Sequence, residues 1–155
     1  MKAKQLQVDH WINTNRTFQF DVMDDRIKII HAFQMLCPGC VYVGIPQTIK
    51  LWEKYQDEEV QIVGLHSVFE NHHAMTDDAL RVFVDEWRLP FPVGVDTRGK
   101  DEWMPKTMKD YRLQGTPSLI VIDHCGDIQL NHFGHMDQQK LEVFIEDLIK
   151  KKHMT

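Results

Sequence analysis

Ile27-Lys28-Ile29-Ile30-His31-Ala32-Phe33, three intervening residues, and then Cys37-Pro38-Gly39-Cys40 form the stretch whose reading decides the fold. The apolar run at 27–33 predicts a buried strand, and the residues at 41–55 predict a helix. Two cysteines separated by two residues at a strand-to-helix junction put the first sulfur at a helix N-terminus. There the unpaired N–H groups and the positive end of the macrodipole favour a thiolate. The second sulfur lies one turn later, close enough to close a disulfide, and that geometry suits thiol–disulfide exchange. Pro38 fits the first helical position, where its missing N–H would have been unpaired anyway. Pro46 falls inside the expected helix and predicts a kink.

Outward from this stretch, strands and helices alternate. Residues 1–15 read as a polar lead-in carrying Trp11 and Asn13, and 17–20 alternates as a short strand before a turn at Asp24-Asp25. A second buried strand is expected over 60–66. Thr76 reads as the N-cap of a helix, with Asp77 and Asp78 in its first turn and Leu80, Phe83, Val84 and Trp87 as its core stripe. A short strand at 91–95, a loop at 96–103 and a short helix at 105–111 follow. The run at 118–123 is a strong strand signal. It turns through 124–127 into 128–133, whose alternation predicts one solvated face. The segment 137–151 places Leu141, Phe144, Ile145 and Leu148 on one helical stripe. This order predicts a mixed central sheet with helices on both faces.

Composition narrows the function. At 155 residues, with 43% hydrophobic and 26% charged, the chain fits one globular domain over 1–155. A net charge of -5 and the lack of a basic stripe exclude nucleic acid as the expected partner. Lys150-Lys151-Lys152 reads as the cationic last turn of a helix. No run approaches the ~18 apolar residues of a membrane span, and the lysines near the N-terminus have no apolar segment behind them. Three cysteines with one close pair do not make a secreted disulfide framework. A cytoplasmic protein is the expectation, with no membrane partner.

The competing reading of the cysteines is a zinc half-site, which needs two further ligands. Cys125 and scattered histidines are the candidates. Glu70, His72 and His73 stand together, with His66 at the end of the preceding strand. Adjacent loop histidines face different ways, so no metal and no cofactor are expected. Structurally inert cysteines are a third reading. Cys125 itself reads as an exposed turn residue, the alternative being a third redox thiol.

Gly115-Thr116-Pro117 immediately before a strand, the CxxC pair after an earlier strand, and a terminal hairpin followed by a last helix together resemble the thioredoxin fold. The resemblance spans roughly 11–150. The extra helix and strand between 66 and 105, with Trp11 and Asn13, look more like the larger TlpA-like reductases and redoxin relatives. It implies an α/β, three-layer α/β/α sandwich with an inserted helix–strand segment. It also implies that Cys37 attacks and Cys40 resolves, with a cis Pro117 beside the pair. Pro38, Gly39, Thr116 and Pro117 would contact an extended protein disulfide substrate, and an upstream thiol reductase would restore the pair. His31 stands six residues before Cys37, where thioredoxin carries a buried acid that helps move protons. It reads either as a proton relay for Cys40 or as a buried neutral imidazole hydrogen-bonded to backbone.

Several positions depart from the family patterns. Leu36 stands where reductases often carry Trp, and Val43 where TlpA-like proteins often carry an acid. Pro46 comes nine residues after Cys37, one later than usual. A peroxiredoxin-like thiol peroxidase is the rival enzyme. Gln34 and Ile30 occupy the positions where peroxiredoxins place a hydroxyl residue and a proline. A redox-sensing thioredoxin-fold module is the non-catalytic alternative. Pro-Gly between the cysteines adds no charge to stabilise the thiolate. That favours a reductant-like potential within a CxxC range of about 150 mV, or roughly 7 kcal/mol.

Overall fold

The computed structural model describes residues 1–55, 59–100 and 103–154. In chain order the elements are β1 (Val8–Ile12), β2 (Ile27–Phe33), a π-helical turn (Cys40–Gly44) continued by α1 (Ile45–Tyr55), and β3 (Val60–His66). Then come α2 (Asp77–Trp87), β4 (Val93–Asp96), α3 (Lys106–Asp110), β5 (Ser118–Ile122), β6 (Ile128–Phe133) and α4 (Gln138–His153). The six strands form one mixed sheet in the order β1-β4-β3-β2-β5-β6. Strands β2, β3 and β4 are mutually parallel, while β1, β5 and β6 pair antiparallel. The inserted segment is thus α2 plus β4, which widens the sheet beyond β3. Among the described residues no helix is long and apolar enough to cross a membrane.

Side chains alternate across β2, as the period of two requires. Ile27, Ile29 and Phe33 pack with residues of α1, α2 and α4, including Leu51, Leu80, Phe83, Leu141 and Ile145. Ile30 and Ala32 point the other way, against Met108 and Tyr111 at α3. The second face is closed less by α3, only five residues long, than by the N-terminal segment. Lys2 bridges to Asp127 beside β6, Leu6 and Val8 pack into the core of this face, and β1 then pairs with β4 at the opposite edge. Residues 1–15 therefore include an edge strand rather than only a lead-in. Asp9 and His10 break its apolar pattern, which is why alternation did not reveal it.

Four other expectations need correction. Residues 17–20 form no strand. Phe18 and Phe20 are half-buried because they pack on the Trp11 indole, at ring separations of 5.0 and 6.1 Å, so the alternation served aromatic packing. The strand expected at 91–95 begins at Val93, since Pro92 has no N–H to donate to a ladder. Trp87 is exposed at the end of α2, its ring tilted against Phe83 at 5.9 Å between centres. The helix of 41–55 is entered by the π-turn, with the Ile45 N–H bonded to the Cys40 carbonyl five residues back. One residue more than an α-helix would hold sits between Cys40 and Pro46, and the turn absorbs it. Of the loop expected at 96–103, residues 101–102 lie outside the described residues.

Lys28 lies fully buried inside the apolar run of β2. Its ammonium donates to the Asp123 carbonyl at 2.9 Å and to the Asp24 carbonyl. Those backbone oxygens compensate the burial that pulls its pKa down.

Candidate active site

Strand β2 delivers the chain to the site. After Phe33 a tight turn closes with the Cys37 N–H on the Gln34 carbonyl at 3.0 Å, and the Val41 N–H then bonds the Cys37 carbonyl at 3.1 Å. Cys37 thus stands directly ahead of the helical residues that begin at Pro38. It is half-buried, whereas Cys40, inside the π-turn, is fully buried. Both sulfurs are described as free thiols. Burial pushes the Cys40 thiol up to about 12, and its hydrogen bond with the Cys37 sulfur adds to the rise.

A second loop faces the pair. The Cys37 Sγ donates to the Thr116 carbonyl at 3.5 Å, and the Thr116–Pro117 peptide is cis. A Cβ placed on Gly39 would lie 3.3 Å from Pro117 Cδ, so the backbone of the CxxC segment runs against the proline ring. The structure therefore brings Cys37, Gly39, Cys40, Thr116 and Pro117 together, while Pro38 is exposed beside them.

Two buried side chains hold the loops in place. Gln34 donates through Nε2 to the Thr116 hydroxyl at 3.3 Å and accepts the Phe69 N–H on Oε1 at 3.1 Å. One amide thus ties the turn before Cys37, the Thr-Pro loop and the loop after β3 to each other. His66, at the end of β3, accepts the Met35 N–H on Nε2 at 3.2 Å. Burial holds its pKa down at about 4, in keeping with a neutral acceptor. In the sequence Gln34 stood out only as a mismatch to the peroxiredoxin pattern and His66 only as a possible metal ligand. A polar residue at the end of a buried strand or just past it was the available signal for both.

His31 lies on the β2 face covered by the π-turn, stacked on Phe33 at 5.7 Å between ring centres. It is buried, and neither ring nitrogen has a hydrogen-bond partner among the described residues. Desolvation alone lowers its pKa to about 4, so the ring is neutral. The backbone hydrogen bond expected of an inert imidazole is not formed, and neither is a direct bond to Cys40.

The remaining candidates fall elsewhere. His72 bonds the Val68 carbonyl at 3.2 Å, and among the described residues no three His, Cys, Asp or Glu gather as a metal site would require. Cys125 is exposed in the β5–β6 turn. Because β5 runs from Ser118 beside Ala32 to Ile122 beside Lys28, that turn sits at the end of the sheet opposite Cys37.

A mixed sheet with this strand order, a CxxC pair where β2 meets its helix and a Thr-Pro loop facing that pair define a thioredoxin-like protein. The chain belongs to the thioredoxin-like superfamily. It superposes on the thioredoxin-like superfamily protein SPOA0173 with a TM-score of 0.92, at 44% identity over 96% of both chains. A thiol-disulfide isomerase from Corynebacterium glutamicum gives 0.89, at 41% identity over 94% of both. The thiol-disulfide oxidoreductase ResA of Halalkalibacterium halodurans is 31% identical over 114 residues, 74% of this chain and 57% of ResA. The chain thus spans little more than half the length of that curated relative. No protein-family model matches it.

Proposed function

We propose that the chain is a thiol–disulfide oxidoreductase that reduces protein disulfides through Cys37 and Cys40. The observation that carries this reading is the asymmetry of the pair. One sulfur is reachable, stands ahead of a helix and bonds the Thr116 carbonyl, while its partner is buried one turn further on. Cys37 gives up its thiol proton to solvent and its thiolate attacks a substrate disulfide, forming a Cys37–substrate bond and expelling one substrate thiolate. Backbone groups beside Pro117 hold the extended substrate. Cys40 then gives up its proton and attacks the Cys37 sulfur. The Cys37–Cys40 disulfide forms, the second substrate thiol leaves, and two electrons have passed to the substrate. An upstream thiol reductase returns the pair to its starting state.

The second step needs a base, because burial holds Cys40 protonated. His31 fills that role in this reading. It is neutral, buried on the face that the π-turn covers, and both of its nitrogens are uncommitted.

Titration of the pair against glutathione or dithiothreitol tests the activity. A reversible two-electron couple that disappears in Cys37→Ser is the expected result. Failure of the native protein to show any such couple would sink the oxidoreductase reading.

A further inference from the structure

His31 poses a problem of orientation. A working imidazole is usually aimed by a hydrogen bond at its other nitrogen. Here neither nitrogen has such a bond among the described residues, so the ring is held by shape alone. One side of that shape is the Phe33 ring, stacked within 13° of parallel. Another is Gly44. A Cβ built on Gly44 would overlap His31 Nε2, lie 2.9 Å from Cε1 and lie 3.1 Å from the Pro117 Cβ. The imidazole edge occupies the space that any side chain at position 44 would need.

Gly44 is itself fixed in place. It closes the π-turn whose extra residue separates Cys40 from Pro46, and Thr48, buried in α1, donates its hydroxyl to the Gly44 carbonyl at 2.8 Å. The Ile45 N–H on the Cys40 carbonyl links the same turn to the resolving cysteine. Gly44 therefore touches three things at once: the turn that carries Cys40, the ring of His31 and the proline facing the pair.

We propose that Gly44 is a positioning residue for resolution by Cys40. The notch left by its missing side chain seats and aims the His31 imidazole, doing by packing what a hydrogen-bond partner does elsewhere. This rests on His31 serving as the base for Cys40, and the test separates the two ideas.

The probe is 5,5′-dithiobis(2-nitrobenzoate), mixed in single turnover with the reduced protein in a Cys125→Ser background, so that the exposed third thiol contributes nothing, and followed by release of its coloured thiolate. The first release reports attack by Cys37 and the second reports resolution by Cys40. Gly44→Ala is expected to slow the second release by about tenfold or more while leaving the first unchanged. It should also alter the pH profile of the second release in the same way as His31→Ala. In the double variant His31→Ala/Gly44→Ala the second release should be no slower than in His31→Ala alone, because with the ring gone the methyl group has nothing to displace. Slowing factors that multiply in the double variant would overturn the role of Gly44 while leaving His31 as the base. An unchanged second release in His31→Ala would instead remove the base reading and this proposal with it, leaving the Cys37–Cys40 couple intact. If Gly44→Ala does not fold, the double variant decides. Folding restored by loss of the imidazole supports the notch, and continued failure to fold refutes it.

Discussion

Acid titration of stability reads the buried histidines directly. His31 and His66 ionise near 6.5 when solvated, and burial lowers both to about 4 in the folded chain. The unfolded chain therefore binds protons that the folded chain refuses. Each ring contributes stability that is fully present above 6.5 and is lost as the pH falls toward 4. At 1.36 kcal/mol per pH unit, each drop is worth about 3 kcal/mol. Asp96 works in the opposite sense. Burial lifts its carboxyl from 3.8 to about 6 despite bonds from Ser67, Thr107 and Met108, so its proton is held more tightly in the folded chain. That contribution is greatest in acid and is lost as the pH rises through 6, again roughly 3 kcal/mol. Asp24, held near 2 by Arg26, changes only below this window.

Two rings against one carboxyl leave the native protein weaker by about 3 kcal/mol at pH 4 than at pH 7. His31→Leu removes one ring's share and should make the curve nearly flat. At neutral pH it should be no less stable than the native chain, since an apolar side chain replaces a buried polar group that has no partner. Urea midpoints and slopes across the pH series measure both effects. A His31→Leu protein that loses as much stability in acid as the native chain would show that His31 does not titrate as a buried, unpaired ring. The reasoning would then fail.

Three further outcomes follow from the packing. Lys28→Met strands the Asp24 and Asp123 carbonyls that the ammonium now satisfies, and should cost about 1–3 kcal/mol in urea unfolding; a variant as stable as the native chain would contradict that account. Gly64→Ala would set a methyl group 2.9 Å from Phe91 and 3.2 Å from Phe33, both fully buried, and overpacking of this kind costs about 1–3 kcal/mol, read as a lowered urea midpoint. Cys125→Ser should leave the redox titration of the Cys37–Cys40 pair unchanged, because the β5–β6 turn lies at the far end of the sheet; a shifted potential would mean that the third thiol communicates with the pair.

Most of the architecture was legible because it is written in strong local signals. Strands β2 and β3 are predominantly apolar and almost wholly buried, and Thr76 caps α2 by accepting the Ala79 N–H at 3.2 Å, as its position ahead of Asp77 and Asp78 implied. What stayed hidden was decided by partners distant in sequence. β1 is a strand because β4 offers it an edge, not because of its own pattern. Phe18 and Phe20 alternate like strand residues but answer to Trp11. Lys28 hides in an apolar run because two carbonyls from other segments meet its ammonium. At the site, Cys37, Cys40 and Pro117 are carried by short motifs and could be picked out directly. Gln34 could not, since its importance lies in joining residues 35 and 82 positions away, and single-residue reading has no signal for that.

The departures from the family pattern also take on one physical meaning when they are placed in space. A histidine where thioredoxin carries an acid and a proline one residue late look unrelated along the chain. In the fold Gly44 joins them. The late proline requires an extra residue, which the helix accommodates as a π-turn, and the turn ends on Gly44 against the imidazole. An imidazole is bulkier than a carboxyl, so the space it occupies has to come from the helix above it. Leaving both of its nitrogens unpaired costs stability, and an apolar residue of similar size would avoid that cost. A destabilising polar group seated in a fitted notch of the turn that carries the resolving thiol is the pattern expected where chemistry, rather than stability, sets the residue.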